Sequence, residues 1–143
     1  MSKISDGVVL VPVPIGDLVD KITILRIKTA RISDPGKLAN VRLELSALEQ
    51  VFRDLDADMT AEMKNAIEQL HHINERLWTI EDDIRACERA GDFGDRFVAL
   101  ARSVYQCNDL RARIKRDVNV LMGSRLIEEK SYANNQTTTT ACP

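Results

Sequence analysis

Apolar residues recur at helical spacing through four stretches of this chain, and one short stretch departs from that spacing. Residues 8–13, VVLVPV, are apolar on both sides. They favour a short strand, which Pro12 confines to a sheet edge because proline has no amide to donate. Pro14-Ile15-Gly16 breaks the run. Beyond it, Leu18, Ile22, Leu25 and Ile32 share one helical face while Ile24 and Ile27 point elsewhere, which predicts a first helix covered on more than one side. Asp34 as cap and Pro35 in the first turn open a second helix, with Leu38, Val41, Leu45, Leu48 and Phe52 as its stripe. The acidic run 54–58, DLDAD, reads as a connection.

Thr60 caps a third helix that extends to about Ala90, with Met63, Ile67, Leu70, Ile73, Leu77 and Ile84 on one face. Gly91 suits the left-handed position that ends a helix. Asp92, with Asp95 three residues on, reads as a variant capping box. The fourth helix then runs from about Gly94 to Met122, and Gly123 stops it. So short a turn makes the two long helices antiparallel. The expected fold is all-α: a hairpin of two long helices packed with two shorter N-terminal ones, preceded by an edge strand. Residues 1–131 form one helical domain, and the polar, low-complexity residues 132–143 form a disordered tail.

Composition agrees with helices. Of 143 residues 44% are hydrophobic and 29% charged, while aromatics are only 4%, an aliphatic and charge-rich balance. The length suffices to bury a core without disulfides or metal. A net charge of −2 argues against a dedicated nucleic-acid binder, which carries a clear basic excess. Cys87, Cys107 and Cys142 are odd in number and form no C-x-x-C pair, which suits a reducing compartment. The N-terminal apolar run is too short for a membrane span and lacks a signal peptide's cleavage site, so the expectation is a cytoplasmic protein without membrane attachment.

Most chemical signals dissolve on inspection. Asp54, Asp56 and Asp58 imitate a calcium loop, but Met59 and Asn65 stand where Gly and Glu are needed. His71 and His72 are adjacent and point about 100° apart on a helix, so they cannot share a metal as an i,i+4 pair could. The carboxylates of IEDDI at 80–84 read as a solvated face. No nucleophile–base pair, phosphate loop or zinc spacing is visible, which makes an enzyme the least favoured class, and no cofactor is implied.

One pattern survives. Asn108, Arg111 and Lys115 project within roughly 40° of the centre of the fourth helix's apolar stripe, defined by Val104, Val118, Leu121 and Met122. Asn74 and Glu81 interrupt the third helix in the same way, and Trp78 and Tyr105 flank the level where the two breaks meet. Buried charge needs partners. The groups either satisfy one another, with Glu81 as acceptor and the network fixing register, or await an anion, with Arg111 as a bidentate fork. An acidic side chain of a partner protein is the third possibility. From Arg96 to Arg116 the chain has six basic residues and one acidic, which favours anions locally.

The stretches IGDLVDKITILRIKTARI, LWTIEDDIRACE and FVALARSVYQCNDLRARIKRDVNVLMGSRLIEEKSY resemble a small bacterial family of unknown function, whose pattern recurs in chains associated with cell-surface glycosyltransferases. The resemblance covers most of residues 8–132 and leaves the Thr-rich tail from 136 outside. Its motif positions include Asp20 to Leu25, Trp78, Asn108, Lys115 and Lys130-Ser131-Tyr132. It implies no catalytic residue. The expected function is a non-enzymatic homo-oligomeric module that binds an anionic small molecule (a nucleotide, sugar nucleotide or sugar phosphate) through Asn74, Trp78, Glu81, Tyr105, Asn108, Arg111 and Lys115. The alternative is an interaction or scaffold protein accessory to a surface-polysaccharide glycosyltransferase. The multi-sided first helix is the reason to expect self-association.

Overall fold

The computed structural model describes residues 6–133 and Cys142. Four helices follow one another: α1 (Ile15–Arg31), α2 (Pro35–Asp54), α3 (Ala61–Ala90) and α4 (Asp95–Leu121). The capping chemistry is local. The Asp34 side chain accepts from the Lys37 amide, and Thr60 accepts from the Met63 amide. Gly91 ends α3 at φ 64°, a left-handed conformation that a Cβ would disfavour. Asp92 does not cap α4. Its carboxylate accepts from the Gly94 amide two residues on, and Gly94 itself occupies the cap position without a side-chain bond.

No strand is present among the described residues, so the N-terminal edge strand is corrected to irregular, solvent-exposed chain. A strand needs a neighbour to take its backbone groups, and no described residue offers one to residues 8–13.

The long helices α3 and α4 pack along each other, and α1 packs against both. Val19, Met63, Leu70, Ile73, Ile80, Cys107, Ile114 and Val118 form their shared core. Packed against other helices, α2 touches only α1. Leu18, Ile22 and Leu25 of α1 are buried outside that shared core, and the ion pairs Lys21–Glu44 and Arg26–Glu49 tie α1 to α2. The several apolar faces of α1 are therefore covered within one chain, by α2 on one side and the α3–α4 pair on the other. They leave any contact with a second copy to surfaces other than α1.

Beyond α4 the chain folds back, with Glu128 on Lys115 and Glu129 on Arg116. Residues 134–141 and 143, which hold most of the expected disordered tail, lie outside the described residues. Cys142 is described: it is disulfide-bonded to Cys107, with Cα atoms 4.7 Å apart, and packs against the core. The third cysteine, Cys87, is free and buried. Two of the three thiols expected to be reduced are thus joined. No described helix is long and apolar enough to cross a membrane.

Candidate functional site

The polar centre of the bundle is organised by α1. Asp20 is 4% exposed and sits one helical turn from both Gly16 and Thr23, so these residues share the face of α1 that meets α3 and α4. From α4, Arg111 grips the Asp20 carboxylate as a fork, donating Nε to Oδ1 at 2.9 Å and Nη2 to Oδ2 at 2.5 Å. From α3, the Asn74 amide donates to Asp20 Oδ1 at 2.9 Å and to Thr23 Oγ1 at 2.9 Å. Thr23 in turn donates to the Asp20 carbonyl at 2.7 Å. Arg111 also donates to Asn108 Oδ1 at 3.3 Å. Three helices are thereby joined through one buried carboxylate.

A second layer lies nearer the start of α1. Lys115 Nζ stands 2.9 Å from Asp17 Oδ1 and 3.0 Å from Glu128 Oε2. The approach to Asp17 is an ion pair without hydrogen-bond alignment, since its buried Oδ1 accepts no directed bond. Below it, Asn119 Oδ1 accepts from the Gly16 amide at 2.6 Å. That bond satisfies one of the free N–H groups at the start of α1, which Pro14 cannot cap with a side chain. The helices can approach so closely because residue 16 is glycine. A Cβ there would strike the Lys115 carbonyl and come within 2.9 Å of Asn119 Oδ1.

The electrostatics follow the contacts. Arg111 is held above its ordinary pKa chiefly by its hydrogen bonds to Asp20, against the opposing pull of burial. For Lys115 burial is the largest single influence and disfavours the charge, but Asp17 and Glu128 together outweigh it and the net direction is upward. Glu128 is lowered, first by its bond to Lys115.

Of the seven candidate residues, the structure brings Asn74, Asn108 and Arg111 into one network, with Lys115 alongside. Glu81 stands apart, exposed and paired with Arg85 at 2.8 Å. Trp78 is half-buried and Tyr105 largely exposed, and neither joins the network. The acceptor is Asp20. Periodicity does not single it out, because α1 is apolar on more than one face and Asp20 interrupts no single stripe. A mid-helix acid one turn from Gly and Thr, next to the apolar Leu18 and Val19 of α1, was the available signal. Asp17, Thr23, Glu128 and Asn119 were likewise missed as partners.

The two principal surface depressions among the described residues lie elsewhere. One is lined by Asp58, Thr60, Glu62, Met63, Leu121 and Met122, and the other involves Gln69, Arg116 and Val120. Neither is lined by Arg111 or Lys115. No described group of His, Cys, Asp and Glu is placed to hold a metal ion.

A model of a family of unknown function, DUF6165, matches residues 9–143, and the chain belongs to that family. The match runs through the Thr-rich tail, which therefore falls inside the family pattern rather than outside it. No curated protein and no solved structure matches the chain.

Proposed function

We propose that this member of a family of unknown function is a non-enzymatic, self-associating interaction module, and that its mid-bundle charges lock helix register rather than receive a ligand. The observation that carries this reading is the pairing of both half-buried cations. Arg111 is held by Asp20, and Lys115 by Asp17 and Glu128. An anion arriving at this site would have to displace a carboxylate already in place. The resemblance to chains associated with bacterial cell-surface glycosyltransferases supplies the proposed setting, an accessory role in surface-polysaccharide assembly. What the module offers partners is its periphery: the apolar residues 8–13, and Leu43 and Val51 on α2, are exposed.

Thermal melts of the wild type and of Lys115→Met, each with a panel of nucleotides, sugar phosphates and nucleotide sugars, test the reading. The expected result is a wild-type Tm indifferent to every compound. A ligand that binds only the folded chain raises its stability by about 2.7 kcal/mol at 100 times Kd. A rise of several degrees with one compound, lost in Lys115→Met, would replace the interaction module with the small-molecule binder.

A further inference from the structure

Prolines decide which edge of the N-terminal segment can pair. Each residue of an extended strand directs its N–H and C=O to the same side, and successive residues alternate sides. Val9, Val11 and Val13 therefore share one edge, and Leu10, Pro12 and Pro14 share the other. The second edge has lost two donors. The first keeps all of its donors and acceptors, and no described residue takes them. Local sterics already favour extension: Pro12 and Pro14 fix their own φ, and each biases the valine before it away from helix. Pro14 lies at φ −57°, ψ 147°.

The side chains are as unpartnered as the backbone. Leu10 is 92% exposed and Val11 66%. The segment leaves the bundle beside the last turns of α4, because Gly16 abuts Lys115 and Asn119. Val120 and Leu121, on those turns, are also exposed. A two-stranded ribbon alone is marginal in water, and these residues offer it an apolar seat.

We propose that residues 9–13 pair antiparallel with the same segment of a second copy, edge to edge about Val11. This rests on the reading of the chain as a self-associating module and names the surface that does it. The register is self-complementary: Val11 faces its own counterpart, and Val9 faces Val13 in both directions, as a two-fold axis requires. Every hydrogen-bonded pair is valine with valine, β-branched residues that suit a strand, and Leu10 lies opposite Pro12 in the pairs between them. The proline edge faces outward in both copies and refuses a further strand, so assembly stops at two.

A proline scan read by light scattering tests this. Wild type at about 100 µM should weigh twice 16.1 kDa. Val11→Pro removes a donor from the open edge and should give 16.1 kDa, with an unchanged helical far-ultraviolet spectrum and the Tm of wild type diluted until it is monomeric, since residue 11 lies outside the core. Leu10→Pro alters the edge already blocked and should remain dimeric. A dimeric Val11→Pro would overturn this interface and leave self-association standing through another surface. Loss of the dimer in both variants would overturn the edge-specific ladder, because contact would then depend on the segment's side chains. A monomeric wild type would overturn the inference and self-association together, leaving the segment to a strand of another protein.

Discussion

At the residue scale the bundle depends on a few side chains that are small or polar where an apolar core would otherwise continue. Gly16 is the smallest of these. Its Cα–H lies where the α4 backbone passes, and its amide is satisfied by Asn119 from the far end of the chain. Gly16→Ala would ordinarily favour a helix. Here it should destabilise the fold by about 1–3 kcal/mol, the cost of overpacking a close contact, as read by urea unfolding. A neutral or stabilising result would mean that α1 and α4 stand further apart than described. Nothing in the sequence distinguishes this glycine from a helix breaker. Pro14-Ile15-Gly16 reads as punctuation, and only the packing of α4 shows that the helix begins at Ile15 and needs the glycine inside it.

At the element scale, the helices were legible because each carries its own stripe and its own caps. The stripes of α2 and α3 and the caps Asp34, Thr60 and Gly91 are local signals, so local reading finds them. The expected strand failed for the opposite reason: strand formation depends on a neighbour, and β-propensity cannot supply one. The polar site was half legible. Arg111 and Asn74 stand out against long stripes, whereas Asp20 sits in a helix with two apolar faces and no single stripe to interrupt. The C-terminal strap is a further non-local element, fastened by Lys115–Glu128 and Arg116–Glu129. Glu128 has a lowered pKa, so its contribution is present above the ordinary glutamate value of about 4.3 and is lost as pH falls through the lower folded value. Glu128→Gln should therefore lower Tm slightly at pH 7, by an amount that shrinks steadily as the pH is taken down below the ordinary glutamate range. A difference that persists in acid would show that the side chain matters for something other than its charge.

For the whole molecule, the disulfide changes what the C-terminus does. Cys107 is fully buried in the α3–α4 core, and Cys142 reaches it across 35 residues. Composition points to reduced thiols and a disordered tail, because an odd cysteine count says nothing of which two meet. Closing a loop of that length stabilises by about 3–4 kcal/mol in the chain-entropy description. Addition of a phosphine reductant should thus lower the wild-type Tm by several degrees, and Cys142→Ser should melt like the reduced protein with or without it. Equal melting of wild type with and without reductant would mean that the bond does not form in solution. A persistent disulfide also fits an oxidising environment better than a reducing one.

Arg111 is above all the inner partner of Asp20 and not a cation waiting for a ligand. A double-mutant cycle of Asp20→Leu and Arg111→Met, followed by urea unfolding, measures that pairing most directly. Removing either partner strands a buried charge and should cost about 3 kcal/mol, the low end for such pairs because Arg111 keeps part of its surface in water. Removing both should cost markedly less than the sum, since apolar groups of similar shape can replace a buried pair. Single-mutant costs that simply add, or an Arg111→Met protein as stable as wild type, would contradict it.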